Sequence, residues 1–282
     1  MPRFHAADGT ELAYHVRGTG AALVCVPGGP MRASAYLGDL GGLSARRQLI
    51  MLDLRGTGSS AAPADPASYR CDRLVDDVAA LRDHLGLDRF DLLAHSAGAN
   101  IAVQFAIRHP GQLSRLALIT PSGRAAGLEP GSELRRQVVL RRQGEPWFAA
   151  ASAAFGRITD GTGTEADWMA LSPLFYGRWD DAARAHDAAG ETQTNEEAAE
   201  AFGAAGAFDP AAARAALATL AVPVLVLGGE LDLQRPPKIT AEFARLFPAA
   251  RLVIQDGAGH YPWLDDPGQF GAAVTAFLDD SR

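Results

Sequence analysis

Six short, nearly unbroken apolar runs constrain the fold of this chain more than any other feature of its sequence. In chain order they read AALVCVP, QLIMLDL, FDLLAHS, LSRLALIT, PVLVLGG and ARLVIQD. A strand that is covered by helices on both faces has such a continuous apolar pattern, whereas a strand with one face in water alternates apolar and polar residues. The runs therefore predict an α/β fold with a mostly parallel central sheet flanked by helices.

The segments around these runs fit the same architecture. Asp8-Gly9 joins two short alternating segments, which is the signal of an antiparallel hairpin. Apolar residues at helical spacing predict helices at 72–87, 99–110 and 238–248, and the last two of these end at a proline. A further helix is predicted at the end of the chain.

The alternation of strands and helices stops between about Pro121 and Val222. This interval is rich in alanine and has helical patterning throughout, and the strand pattern resumes in VPVLVLGG. We therefore expect a core domain formed by 1–121 and 222–282, with a helical cap (122–221) inserted before the seventh strand. Such a cap would lie over the carboxyl edge of the sheet, where open α/β sheets bind their ligands.

Composition and missing motifs exclude several classes of function. The 282 residues have a net charge of −7 without a dense Lys/Arg cluster, so no nucleic-acid partner is expected. No run approaches the roughly 20 apolar residues of a membrane span, and the N-terminus lacks the apolar core of a signal peptide. With only two cysteines, we expect a cytoplasmic protein.

No motif for a metal or a nucleotide is present, which leaves a small-molecule substrate as the expected partner and no cofactor. The sequence carries no signal for an oligomeric state.

The third apolar run ends in AHSAG, where Ser96 stands between Ala94 and Gly98. A G-x-S-x-G sequence between a strand and a helix forms a sharp turn that exposes its serine at the edge of the sheet. Here Ala94 replaces the first glycine, which adds one methyl group, and Gly98 keeps the second. Because the predicted strand and helix flank the motif, we interpret Ser96 as a nucleophile rather than an ordinary serine at a strand end.

A serine nucleophile needs a base within hydrogen-bond reach and an acid that orients the base. His260 follows the last strand through Gly-Ala-Gly, and Asp232 follows the strand VPVLVLGG, so the chain order is serine, acid, histidine. Glu230 is the competing acid, but we expect it to face solvent. Among the other histidines, His95 should point to the opposite face from Ser96 and pack, whereas a substrate contact by His186 stays open.

Attack on a carbonyl carbon also requires donors for the oxyanion. The N–H of Ala97, directly after the nucleophile, is the first expected donor. The second is the N–H of Gly29 in the Gly-Gly-Pro turn after the first buried strand, where glycine allows the backbone to approach a substrate closely. A plain glycine turn is the alternative for that segment.

The segments PGGP and DLRGTGSS, the serine turn and the helical cap together resemble the α/β-hydrolase-fold serine hydrolases, most nearly the proline iminopeptidase group. The resemblance runs along essentially the whole chain. It departs from that group at Pro27, where the group has histidine, and at the serine turn. It implies a cofactor-free enzyme with Ser96, Asp232 and His260 as its triad. In DLRGTGSS, Arg55 is expected to be structural rather than a substrate contact.

The expected activity is cleavage of a small ester, thioester, lactone or aminoacyl amide through an acyl-enzyme on Ser96. An aminopeptidase of the proline iminopeptidase type is one alternative. A lyase or acyltransferase on the same scaffold is a second, and a small-molecule receptor is a third. Four aromatic residues of the cap are candidates for the substrate pocket, although for most of them the sequence favours a place in the cap's own core: Trp147, Phe175, Tyr176 and Trp179.

Overall fold

The structure, a computed structural model that describes residues 1–280, contains one central sheet. Its strands are β1 (Arg3–His5), β2 (Glu11–Arg17), β3 (Ala22–Val26), β4 (Gln48–Leu52), β5 (Phe90–His95), β6 (Leu113–Ile119), β7 (Val224–Gly229) and β8 (Ala250–Gln255). They lie in the order β1-β2-β4-β3-β5-β6-β7-β8. The β1–β2 and β2–β4 pairs are antiparallel, and the pairs from β4 through β8 are parallel. This confirms the mostly parallel α/β sheet and its N-terminal hairpin.

Helices connect the parallel strands. They are α1 (Cys71–His84), α2 (Gly98–Arg108), α3 (Ser132–Leu140), α4 (Phe148–Thr159), α5 (Glu165–Leu171), α6 (Asp181–Gln193), α7 (Glu196–Phe202), α8 (Pro210–Leu217), α9 (Pro237–Ala244), α10 (Pro262–Asp265) and α11 (Pro267–Leu278). The predicted helices are correct to within a few residues at their ends. The α1 helix stops before the predicted residue 87 because Gly86 takes a φ of +65°, a left-handed conformation that ends helices.

The alternation of side chains along the strands separates two apolar cores. On β5, Leu92 and Ala94 pack into the core shared with α1 and α2, whereas Leu93 packs into the opposite core with Trp263. His95 continues the face of Leu93, and its ring lies 4.8 Å from that of Trp263. His95, the last residue of the strand, therefore points to the opposite side of the sheet from Ser96, the next residue.

Helices α3 to α8 form the insertion between β6 and β7, as the sequence predicts. The α4 and α5 helices pack on each other around a small apolar cluster that includes Phe155 and Leu171. In contrast, Phe202 of α7 and Leu217 of α8 belong to the same core as the sheet. The insertion is thus anchored in the core at its carboxyl end, and the exact division into cap and core stays a prediction.

None of the helices in the described part of the chain combines the length and apolarity that a bilayer crossing requires.

Candidate active site

Ser96 lies in a sharp turn between β5 and α2. Its φ is +49°, a left-handed conformation that side-chain-bearing residues seldom adopt and that the surrounding hydrogen bonds maintain. Its carbonyl oxygen accepts a hydrogen bond from the N–H of Ser122, 3.0 Å away. A Cβ atom at Gly98 would lie 2.3 Å from the carbonyl oxygen of Pro27, so this position must be glycine, whereas the methyl group of Ala94 is accommodated in the core. The turn therefore fixes Ser96 at the carboxyl edge of the sheet.

The structure brings Ser96, His260 and Asp232 into one line of hydrogen bonds. Nε2 of His260 is 2.8 Å from Oγ of Ser96, and Nδ1 is 2.8 Å from Oδ2 of Asp232. Oδ1 of Asp232 accepts from the backbone N–H groups of Gln234 and Arg235, at 2.8 and 3.0 Å. All three side chains are buried. A carboxylate held in this way accepts a hydrogen bond from Nδ1–H, and this leaves the lone pair of Nε2 directed at the serine hydroxyl.

The backbone of His260 is itself fixed on both sides. Its N–H donates to the carbonyl oxygen of Phe175 in the insertion, 2.7 Å away. Its carbonyl oxygen accepts from Oγ1 of Thr120 and from Nε2 of His95, each at 3.0 Å. The position of the imidazole therefore depends on the ends of two strands and on the insertion.

His95 also connects this histidine loop to the Gly-Gly-Pro turn. Because its Nε2–H donates to His260, its Nδ1 must accept, and the hydroxyl of Tyr36 donates to it across 2.7 Å. The Tyr36 oxygen in turn accepts from the N–H of Gly28, 2.6 Å away. Burial lowers the pKa of His95 well below its usual value, so the ring is neutral and keeps this arrangement of donors and acceptors. His95 thus packs on the opposite face, as predicted, and it also connects the two loops through hydrogen bonds, which the sequence did not predict.

The two expected oxyanion donors, Ala97 and Gly29, line a cavity of about 420 Å³ together with Ser96. Within residues 1–280 neither of their N–H groups donates a backbone hydrogen bond. Gly29 has a φ of +118°, which residues with a side chain rarely adopt, and a Cβ atom at Gly28 would lie 3.0 Å from Cβ of Ser96. The glycine turn therefore passes very close to the serine, and the N–H groups of Ala97 and Gly29 have no backbone acceptor among the described residues.

Three residues that sequence reasoning weighed as alternatives have structural partners. Glu230 accepts from the N–H of Gly257 and forms an ion pair with Arg141; the hydrogen bond and this charge lower the pKa of its carboxyl group. Arg55 is buried in a bidentate pair with Asp77. Neither Glu230 nor Arg55 takes part in the hydrogen bonds of His260.

His186, the third of these, lies between two tyrosines. Its Nδ1 is 2.8 Å from the hydroxyl of Tyr176, and its Nε2 is 3.3 Å from the carbonyl oxygen of Tyr36. Burial lowers its pKa to about 4. These contacts favour packing between the insertion and the core over a contact with substrate.

Of the four aromatic candidates for the pocket, Phe175 is the one that lines a cavity near the serine. This second cavity, of about 580 Å³, is lined by both apolar and polar side chains and shares Gln234 with the cavity at Ser96. Trp147 packs under the guanidinium of Arg142, and Tyr176 is almost fully buried against Trp179. For those three residues the positions favour the alternative, which is packing within the cap.

Sequence reasoning missed the arginines of the two cavities. Arg124 and Arg235 line the cavity at Ser96, and Arg135 lines the adjoining one. They come from three separate segments, so no local pattern indicates that they meet. The only available signal was the position of Arg235, three residues after Asp232 in the same turn.

Comparison with known proteins is consistent with this geometry. The alpha/beta hydrolase fold family matches residues 21–267 of the chain. The proline iminopeptidase of Heyndrickxia coagulans is 24% identical over 276 residues, which are 93% of this chain and 92% of that protein.

Two solved structures are similar over nearly the whole chain. A thermophilic esterase from Thermogutta terrifontis superposes with a TM-score of 0.70 at 25% identity, covering 99% of this chain and 98% of that one. The enol-lactonase from Burkholderia xenovorans LB400 has a TM-score of 0.68 at 25% identity, covering 99% and 100%.

Proposed function

The chain belongs to the alpha/beta hydrolase fold family and is a hydrolase, and we propose that it cleaves a small ester or lactone through an acyl-enzyme on Ser96. Thioesters and aminoacyl amides share the same acyl chemistry and fall within the proposal. The observation that carries it is the chain of hydrogen bonds from Asp232 through His260 to Ser96, together with the cavity that Ser96 shares with Ala97 and Gly29.

In the proposed first step, Oγ of Ser96 attacks the carbonyl carbon while Nε2 of His260 takes the hydroxyl proton. Asp232 stabilises the resulting imidazolium and keeps Nδ1 protonated. The carbonyl oxygen gains the negative charge and accepts hydrogen bonds from Ala97 and Gly29, each contributing about 3–4 kcal/mol at the transition state. The imidazolium then donates its proton to the leaving oxygen, the carbon–oxygen bond breaks, and the alcohol departs.

In the second step, a water molecule donates a proton to Nε2 of His260 and attacks the acyl carbon of the ester on Ser96. The same two N–H groups stabilise the second oxyanion. The proton then returns to Oγ of Ser96, which leaves, and the acid is released.

The acidic residues of the insertion give little support to the iminopeptidase alternative. That activity requires acids that hold the free amine of the substrate. Within residues 1–280, Glu129 is the acid that lines the cavity at Ser96, and it is paired with Arg235 at 3.0 Å. Among the acids of the insertion, Asp187 is half-buried, and four others are exposed: Glu191, Glu196, Glu197 and Glu200.

The proposal retains the division into a core (1–121 and 222–282) and a cap (122–221), with the cavities beneath the cap. It also retains the cytoplasm as the location, because Cys25 and Cys71 are both buried and unpaired, as expected in a reducing compartment.

A fluorophosphonate probe combined with two substrates tests the proposal. We expect the wild type to be labelled and to hydrolyse 4-nitrophenyl acetate faster than prolyl-4-nitroanilide, and Ser96→Ala to lose both labelling and hydrolysis. Ser122→Ala is the matched control, because Ser122 lines the same cavity without a histidine partner and should leave labelling intact.

Other outcomes identify the alternatives. Faster turnover of the prolyl substrate would establish the iminopeptidase. A wild type that is neither labelled nor active would favour the receptor. Labelling with acyl transfer to an added alcohol, and no free acid, would favour the acyltransferase.

A further inference from the structure

The two cavities above Ser96 are positively charged although the chain as a whole is acidic. Their linings contain Arg124, Arg135 and Arg235, and Glu129 is the acid among the described residues that line them. The whole chain has a net charge of −7. A local excess of positive charge on an acidic protein attracts an anionic ligand and holds it at that place.

Two of these three arginines, Arg124 and Arg135, form no ion pair in the part of the chain that the structure describes. Arg135 is half-buried, and its side chain forms no ion pair or hydrogen bond with any residue of the described chain. Its Nε and the Nε of Arg235 are buried without a hydrogen-bond partner. Arg124 contacts the ring of Phe208 but has no carboxylate partner within residues 1–280. Removing such a guanidinium group from water costs free energy unless an anion binds to it.

Arg235 is positioned next to the reacting centre. Its guanidinium donates to Oγ of Ser122 at 2.9 Å, and the N–H of Ser122 donates to the carbonyl oxygen of Ser96 at 3.0 Å. Its other terminal nitrogen is 3.0 Å from Glu129, a side chain that is 48% exposed and therefore a weak surface partner. The guanidinium is thus oriented by a residue that is bonded directly to the serine turn.

We infer that the substrate is an ester or lactone whose acyl part carries a carboxylate, and that Arg235 and Arg135 bind this carboxylate. The inference rests on the proposed function and specifies its substrate class. The terminal nitrogens of Arg135, which have no hydrogen-bond partner among the described residues, can bind a carboxylate through two parallel hydrogen bonds, and this fixes both the position and the orientation of the acyl group. Because the acyl part stays on Ser96 until water releases it, this contact would persist through both steps.

The rest of the second cavity indicates what else the acyl part contains. Phe155, Trp168, Leu171 and Phe175 form an apolar wall beside Arg135. Burial and the nearby positive charge of Arg235 lower the pKa of Arg135, and the carboxylates of Glu129 and Asp232 offset this only in part. An acyl group with an apolar chain or ring next to its carboxylate fits such a lining.

Monomethyl glutarate and dimethyl glutarate form a matched pair of test substrates, because they differ in one methyl group and one negative charge. We expect the wild type to hydrolyse the monoester with a kcat/KM about tenfold higher than the diester. Arg135→Gln and Arg235→Gln should reduce this preference about tenfold, mainly by raising KM for the monoester. Arg136→Gln is the control, since Arg136 is exposed on the same helix and lines neither cavity.

A binding measurement keeps the test independent of turnover. With the Ser96→Ala protein, calorimetry should show monomethyl glutarate binding more tightly than dimethyl glutarate, and Arg135→Gln should remove the difference. Arg135 has no structural bond to lose, so this variant tests the inference even where Arg235→Gln fails to fold.

The inference would be overturned if the wild type hydrolysed the two esters at equal rates and the Ser96→Ala protein bound them equally. It would also be overturned if Arg135→Gln left the preference for the monoester unchanged. Hydrolysis of dimethyl glutarate by the wild type and not by Ser96→Ala would keep the proposed function in either case. If the wild type cleaves neither ester and Ser96 is not labelled, the proposed function fails, and the binding comparison alone decides the inference.

Discussion

His95 holds the backbone of His260 in place: its Nε2–H donates to the carbonyl oxygen of His260 across 3.0 Å, and the two rings lie 4.9 Å apart. Through its other nitrogen, His95 accepts from Tyr36, which in turn accepts from Gly28. One buried, neutral imidazole therefore connects the proposed base to the glycine turn that carries one of the proposed oxyanion donors.

Replacing His95 by phenylalanine keeps a ring of similar size and removes both hydrogen bonds. We expect kcat to fall about tenfold with KM nearly unchanged, and the free energy of unfolding to fall by about 1–3 kcal/mol, because the Tyr36 hydroxyl and the His260 carbonyl lose a buried partner. Steady-state kinetics and thermal unfolding measure the two effects. Thr120→Val removes the other donor to the same carbonyl without touching Tyr36, and should have the smaller effect on kcat. An unchanged kcat in His95→Phe would show that this connection does not position the base.

Asp232→Asn should leave the fold intact and reduce kcat by about 10⁴-fold, because an amide at this position favours the wrong tautomer of His260. Glu230→Gln, two residues earlier, is the matched control and should stay within about twofold of the wild type, as its partners are Gly257 and Arg141. Rates of fluorophosphonate labelling and ester hydrolysis give the comparison. A large loss in Glu230→Gln with little loss in Asp232→Asn would reverse the assignment of the acid.

Gly28→Ala should reduce kcat by at least about 100-fold. The added Cβ would lie 2.7 Å from the carbonyl oxygen of His95 and 3.0 Å from Cβ of Ser96, so the turn and its N–H donor must move away from the serine. Gly144→Ala places a methyl group where no atom lies within 4 Å, and should leave activity unchanged. Ester hydrolysis at saturating substrate is the measurement. Full activity in Gly28→Ala would contradict the close approach of this turn.

His186 should make the fold sensitive to acid. Its pKa falls from 6.5 to about 4 on folding because of burial, so between these values the unfolded chain binds a proton that the folded chain does not. The neutral ring therefore costs no stability above pH 6.5. As the pH falls toward 4, the free energy of unfolding decreases by up to about 3 kcal/mol. Urea unfolding of the wild type and His186→Gln at pH 7 and pH 4.5 should show the smaller decrease in the variant. Parallel decreases would contradict a buried neutral His186.

Arg55→Gln should destabilise the fold by about 3–5 kcal/mol, because it leaves the carboxylate of Asp77 buried without its partner. Labelling of Ser96 in the folded fraction should be unchanged. The control is Arg3→Gln, whose pair with Glu11 is more than 40% exposed on both sides and contributes less than about 1 kcal/mol. Loss of labelling in folded Arg55→Gln would instead indicate a direct role in the site.

Much of the framework could be predicted from the sequence because it depends on local patterns. Continuous apolar runs indicated the buried parallel strands, and the small residues around Ser96 indicated the sharp turn. Asp232 and His260 followed from their positions after strands that end at the same edge of the sheet. Each of these inferences needs only the order of elements along the chain and the period of a strand or helix.

The remaining features of the site depend on where side chains point in the folded protein, and no local sequence pattern encodes those directions. Tyr36 and His95 are 59 residues apart, and their hydrogen bond follows from how a short helical turn packs on the sheet. The aromatic content of the insertion could not show that Tyr176 turns into the cap. The three arginines of the cavities likewise come from segments that meet only in three dimensions.

The turn at residues 232–235 has a consequence for any attempt to change substrate selectivity. Its backbone N–H groups fix the acid that orients His260, and its final side chain reaches Ser122 beside the nucleophile. Under the proposed function, the acid of the triad and an arginine that binds the substrate therefore lie within four consecutive residues, and we expect mutations there to affect both turnover and recognition. Arg135 lies on a helix of the insertion. We therefore expect that substitutions there can change substrate selectivity without changing the catalytic steps.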